Sequence, residues 1–352
     1  MGETRRLLHV YATFATGGPQ TRFAAIANHF GRRWRHEIVA MDGNLACRER
    51  LDPGLDVGFP TVEIRKGDTL GNLRRFRGFL QAMRPDRLIT SNWGSIEFAM
   101  AALGTGIGHV HVEDGFGPEE RERQIPRRVL TRRLVLRRRQ VVVPSRVLER
   151  IATDIWKLKR VAYIPNGIDL GRFVPVRTAN AVPVIGTVAA LRAEKNLGRL
   201  LEAVAPLQAR LLMVGDGPER AGLEARAAAL GMAGRVEFAG HQADPAGFYA
   251  RMDVFALSSD TEQMPISVLE AMAAGLPVAA TAVGDVAGML AAENREFVTA
   301  LDAASLGAAL ARLGGDMGLR HAVGAANRLK AERDYADVTM FDAYAGMFDG
   351  SQ

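Results

Sequence analysis

Cysteine is nearly missing from this chain: Cys47 is the single one in 352 residues. One thiol excludes a disulfide framework and a cysteine-built metal cluster, and it suits a reducing cytoplasm. No apolar run is long enough to cross a bilayer. The opening MGETRRLLHVYA passes straight into a strand pattern, so no signal peptide is expected. A D-x-D metal motif is also lacking. Aromatic residues make up only 7% and apolar residues 48%, a balance that fits an α/β protein.

What is present is length enough for two cores, and a divided charge. Residues 1–175 hold 30 Lys and Arg against 18 Asp and Glu, whereas the remainder holds 15 against 21. The two halves therefore face different partners.

The most informative stretch is SSDTEQMPISVLEAMAAGLPVAATAVGD, residues 258–285. A short apolar strand at Val254–Leu257 precedes it. Pro265 suits the first position of a helix, Gly275 its stop, and Pro277 opens the next apolar run. Met264 has no side-chain oxygen with which to cap, so the amides of Ile266 and Ser267 face outward at the positive end of the helix dipole. Such a helix start is a ready anion site. Glu262 precedes it, and Glu270 lies roughly 7 Å further along the axis. Acids beside a phosphate repel it, so these two are better read as acceptors for hydroxyl groups. A phosphate flanked by hydroxyl-rich groups describes a sugar nucleotide.

Glu262 and Glu270 with the surrounding PISVLEAMAAGLPV resemble the E-x7-E motif of the family 4 retaining glycosyltransferases. That resemblance implies the GT-B fold: two Rossmann-like domains facing a cleft, with the last helix crossing back to the first domain. It also implies that the first Glu contacts the transferred sugar and the second the ribose. Gln263 stands where the family usually has Gly, which bears on the donor sugar.

Taken in order, Arg6–Tyr11 reads as a buried strand, and Gly17 and Gly18 open a helix over residues 23–30. A tight strand-to-helix turn explains them, as does the family's loop facing the donor phosphates. Strands are expected at His36–Met41, Val62–Ile64, Leu88–Thr90 and His109–Val112, with helices about 70–83 and 95–103. This alternation predicts a parallel sheet with ligands beyond its carboxyl edge. Asn92 and Trp93 fall there, either lining an acceptor pocket or packing. His111 is the match to the family's strand-end histidine near the reactive carbon. His109 is its rival on the same face.

Nine arginines fall within residues 121–139, interleaved with Leu130, Leu134, Val135 and Leu136. The pattern predicts an amphipathic helix with a cationic face. Arg132, Arg133, Arg137 and Arg138 are assigned to an anionic membrane surface or to the diphosphate of a lipid-linked acceptor. No nucleic-acid module accompanies them. A strand at Val141–Val143 follows, and Ser145 caps the next helix.

After a strand at Val161–Ile164, IPNGID resembles the family's interdomain linker, dividing 1–165, completed by the 336–352 helix, from 166–335. The second half restarts at Val184–Val188, with a helix over Leu197–Val204. Lys195 matches a diphosphate-binding lysine of the family. The arginine usually found five residues earlier is Ala190 here, which leaves Arg192 to reach from a different place. The turn at Gly215 and the loop at His241 complete the expected donor site. Met340, Phe341, Tyr344 and Met347 form an apolar stripe on the last helix.

The expected activity is transfer of a sugar from a nucleotide-sugar to a glycan or lipid-linked acceptor, with retention, no metal and no other cofactor. The expected location is cytoplasmic, peripheral on the inner face of the membrane. A sugar-nucleotide epimerase or hydrolase on the same fold, and a basic membrane- or nucleic-acid-binding protein, are the alternatives.

Overall fold

A computed structural model of the chain describes residues 4–116, 118–120, 123–175 and 180–350. Arg121, Gly117 and part of the irregular 174–183 stretch lie outside them. The chain divides into two compact units, residues 1–165 with 340–352, and residues 166–339.

The first unit is built on seven parallel strands: β1 (Arg6–Tyr11), β2 (Arg35–Ala40), β3 (Val57–Gly58), β4 (Arg87–Ser91), β5 (Gly108–Val112), β6 (Gln140–Val143) and β7 (Val161–Tyr163). Their order is β3-β2-β1-β4-β5-β6-β7. Helices α1 (Gly18–Phe30), α2 (Thr69–Met83), α3 (Ile96–Ala101), α4 (Pro126–Val135) and α5 (Arg146–Arg150) connect them. Ser145 caps α5 by accepting the Leu148 amide at 3.0 Å. Strand alternation sends Leu8, Val10 and Leu88 against α2 and α3. Leu7, Ile89 and Val110 face the other way, onto the closing helix.

Two expectations change here. Val62–Ile64 is not a strand: both apolar side chains pack on the α2 cluster without joining the ladder. The arginine-rich helix is shorter than its charge pattern, because Pro126 starts it and it ends at Val135.

The second unit repeats the plan with β8 (Val184–Val188), β9 (Arg210–Val214), β10 (Val236–Phe238), β11 (Val254–Leu257), β12 (Val278–Thr281) and β13 (Val298–Thr299). Its order is β10-β9-β8-β11-β12-β13, all parallel. The helices are α6 (Leu197–Val204), α7 (Arg220–Ala229), α8 (Ala246–Tyr249), α9 (Ile266–Ala273), α10 (Val286–Met289), α11 (Ala303–Gly315) and α12 (Met317–Asp334). Then α13 (Asp337–Asp349) buries Met340, Phe341, Tyr344 and Met347 against the first unit's sheet. No helix among the described residues is long and apolar enough to cross a membrane.

Candidate active site

Because the strands of the second unit are parallel, every one ends at the same edge. Residues between 192 and 262 therefore share it. The loop after β8 carries Arg192 and Lys195, those after β9 and β10 carry Gly215 and His241, and the loop after β11 carries Glu262.

Backbone fit explains two glycines there. Gly215 has φ +136, and a Cβ on it would lie 1.9 Å from Ala189 O. Its amide donates to Gly240 O at 2.8 Å, which ties the β9 and β10 loops together beside His241. His241 itself is exposed. Gly284, at φ +51, lies against Glu262 O, and the Asp285 amide donates to Gln263 O at 2.9 Å. The loop bearing Glu262 is thereby held from behind.

The Lys195 ammonium sits 2.5 Å from Glu262 Oε1, which also accepts from Ser259 Oγ at 2.8 Å. Both charged side chains are partly exposed, at 24% and 13%. The loop backbones are cross-linked too: Ser258 Oγ donates to Lys195 O, and Arg199 bridges Ser258 O and Asp260. A cation and a carboxylate are therefore presented together at the strand edge.

Beyond them, Pro265 precedes α9 in an extended conformation (φ −67, ψ 120), and no side chain caps the helix. The helix starts at Ile266, one residue later than the proline position read from sequence. Ile266 and Ser267 form its first turn. Met264 is buried, its carbonyl accepting from Asn166 Nδ2 at 3.1 Å. Glu270 Oε2 accepts the Tyr249 hydroxyl at 2.5 Å. Burial, and then the neighbouring Glu270 charge, push the Tyr249 pKa well above its ordinary value. Tyr249 thus stays a neutral donor. It was not found from sequence, where it reads as one more core aromatic.

Arg192 does not join this cluster. It is exposed and lines a surface hollow of about 390 Å³ with Asn196, Glu219 and Arg226. Standing two residues nearer to Lys195 than the family's usual arginine, it takes a different direction.

In the first unit, α1 starts at Gly18 behind an extended Gly17, again without a side-chain cap. At the same edge Asn92 (φ 58) uses its amide oxygen to accept the Asp114 amide at 2.7 Å. Asp114 in turn pairs with Arg22 at 2.6 Å, both side chains nearly buried. Asn92 is therefore a loop lock. Trp93 is covered by the guanidiniums of Arg128 and Arg132, 4.9 and 5.1 Å from its ring. It packs rather than lining a pocket.

His111 is corrected as well. It lies inside β5 with 0% exposure, its Nδ1 2.8 Å from Thr90 Oγ1, which His109 Nε2 shares at 2.8 Å. Alternation does put both rings on one face, but that face is core. The residues just past the strand end are Glu113 and Asp114. No cluster of three metal-ligating side chains occurs among the described residues.

Arg132 also leaves its assigned place. It is 1% exposed, donates to Glu113 and to both oxygens of Glu120, and lies 4.7 Å from the Trp156 ring. Burial pushes the Glu120 carboxyl up, but hydrogen bonds from Arg132 and Arg128 outweigh that and hold it low. Arg133, Arg137 and Arg138 are exposed, Arg133 donating to Ile155 O at 2.9 Å.

Comparison with known proteins agrees with this architecture. Residues 17–167 match the family described as glycosyl transferase 4-like domain, and residues 182–316 that of glycosyl transferases group 1. The chain belongs to the family 4 glycosyltransferases, built on the GT-B fold. It is 35% identical over 181 residues to the lipopolysaccharide core biosynthesis glycosyltransferase LpsE of Rhizobium meliloti, covering 49% of this chain and 53% of that protein. It is 34% identical over 136 residues to a GDP-mannose-dependent alpha-mannosyltransferase of Mycobacterium tuberculosis, covering 36% and 35%. The chain spans about half the length, or less, of these curated relatives. Among solved structures, Anabaena Alr3699/HepE in complex with UDP-glucose superposes with a TM-score of 0.82 at 19% identity, over 98% of this chain and 99% of that one. That likeness speaks to the fold.

Proposed function

We propose that this chain transfers a sugar from a nucleotide-sugar to an acceptor hydroxyl, with retention at the anomeric carbon and without a bound metal. The observation that carries this reading is the pairing of Lys195 with Glu262 beside an uncapped helix start. The bond from the anomeric carbon to the diphosphate breaks with its electron pair going to the diphosphate. Lys195 and the first amides of α9 offset that growing negative charge. Glu262 accepts from hydroxyls of the sugar, and Glu270, steadied by Tyr249, from those of the ribose. The acceptor oxygen bonds to the same face of the carbon, and its proton leaves on the departing phosphate oxygen. Relatives named for lipopolysaccharide core biosynthesis support a glycan or lipid-linked acceptor.

The face of the first unit that carries α4 would work at an anionic membrane surface. Leu130 and Leu134 are 56% and 66% exposed on α4, Ile155 is 42% exposed, and Arg133, Arg137 and Arg138 flank them. Apolar side chains framed by cations suit an interfacial helix. With Arg132 withdrawn into the core, this surface has fewer cations than its sequence has arginines.

The test is a panel of nucleotide-sugars with lipid-linked and soluble glycan acceptors, following nucleoside diphosphate release and the anomeric configuration of the product by proton NMR. Acceptor-dependent release and an unchanged anomeric configuration support the reading. Free sugar released without acceptor points to a hydrolase, and an inverted product overturns retention.

A further inference from the structure

The opposite edge of the first unit's sheet carries a second basic feature. There β4 begins at Arg87, β5 at Gly108, β6 at Gln140 and β7 at Val161. Parallel register sets Arg87 beside Gly108, and the Val141 amide donates to Arg160 O at 2.9 Å. Parallel strands start together as surely as they end together, so arginines remote in sequence meet here. Arg87, Arg138, Arg139 and Arg160 surround a hollow of about 210 Å³, with His109 and Met347 in its wall.

No acid lines this hollow among the described residues. None of its four guanidiniums forms an ion pair with a described residue, in contrast to Arg128 and Arg132 on the neighbouring helix. The nearby Asp349 is already held by Arg33 and the Trp34 indole. Burial and Arg5 pull the Arg87 pKa down against the influence of Asp349. His109 is buried, with Nε2 on Thr90 and an Nδ1 that has no hydrogen-bond partner. Four guanidinium cations repel one another until a counter-charge is supplied, and the imidazole nitrogen lacks a partner.

We propose that this hollow binds a phosphate-bearing anion, a phosphomonoester or a diphosphate, gripped by Arg87, Arg139 and Arg160. Guanidinium forks match the oxygen spacing of a phosphate and hold it bidentately. An oxyanion would also give His109 Nδ1 an acceptor for a proton. The phosphate comes either from solution or from a phosphomonoester lipid headgroup. The site uses groups of the first unit alone, so it stands or falls separately from the donor site.

The experiment is site-resolved phenylglyoxal modification of the full chain, read by peptide mass spectrometry. Inorganic pyrophosphate is one probe; vesicles of phosphatidylcholine with phosphatidic acid, or with phosphatidylglycerol at equal charge, are the others. Modification of Arg139 and Arg160 should slow about ten-fold at a pyrophosphate concentration roughly ten times half-saturating, with Arg137 unaffected. Protection by phosphatidic acid but not pyrophosphate also supports the site and assigns the phosphate to a lipid. Equal protection of Arg139 and Arg160 by both kinds of vesicle, with none from pyrophosphate, would mean general surface docking and overturn the proposal. So would no protection in any arm. As a second reading, the pyrophosphate-induced rise in Tm that survives Lys195→Ala should be lost when Arg139→Gln and Arg160→Gln are added. A rise that persists places the anion elsewhere.

Discussion

Tyr249 and Glu270 are joined by a 2.5 Å hydrogen bond across two helices, with the phenol buried and the carboxylate partly exposed. The bond fixes one carboxylate oxygen and leaves the group's direction determined before any ligand arrives. Tyr249→Phe should weaken binding of the nucleoside diphosphate about ten-fold, the loss of one hydrogen bond to a charged group, with kcat nearly kept. Glu270→Ala should weaken it further, again mainly in binding, since ribose hydroxyls are held alike before and during reaction. Isothermal titration decides. An unchanged Kd in Glu270→Ala removes the ribose role.

Arg132 separates structural from surface arginines. Arg132→Leu leaves Glu113 buried without its guanidinium and Glu120 with Arg128 alone, and should cost about 3–5 kcal/mol in urea unfolding. Arg137→Gln, on the exposed side, should stay within about 0.5 kcal/mol. Equal, small effects would contradict the buried network.

That division marks where the sequence stops being readable. Arg6–Tyr11, Val184–Val188, Leu197–Val204 and Val254–Leu257 were legible to the residue, because uninterrupted apolar runs or strong helical periodicity set their ends. The arrangement around α9 was legible because its motif is local: Glu262, the helix start and Glu270 lie within nine residues. Arg128 and Arg132 were not, since a charge pattern along one helix does not show that Glu113 and Glu120 wait beneath it. His111 was misplaced by the same blindness. Alternation gave its face but not what covers that face.

Acid should destabilise the fold through histidines. Burial lowers His36 to about 4 and His9 well below its ordinary value, with His36 adding to the effect on His9 across a 3.1 Å contact. Their folded pKa values lie below the unfolded value near 6.5, so the unfolded chain binds more protons between those limits. Stability is therefore full above about pH 6.5 and falls as pH drops toward 4. Urea midpoints at pH 7.5 and 5 should differ clearly. A flat profile over that interval contradicts a neutral buried pair.

Membrane docking is tested by the triple variant Arg133→Gln, Arg137→Gln, Arg138→Gln. Each exposed arginine contributes about 1 kcal/mol near an anionic surface, so sedimentation with phosphatidylglycerol vesicles should be largely lost, and lost for the parent in high salt. Turnover of a soluble acceptor should be kept. If soluble turnover falls too, these arginines grip the acceptor's diphosphate instead. Undiminished sedimentation removes the docking reading.

If Lys195, paired with Glu262, stabilises the departing diphosphate, its loss must show in the chemical step. Single-turnover kinetics of Lys195→Ala with the preferred nucleotide-sugar measures it most directly. The chemical step should slow by roughly 10²–10³-fold while the donor's Kd changes far less. A chemical step within a few-fold of the parent would contradict it.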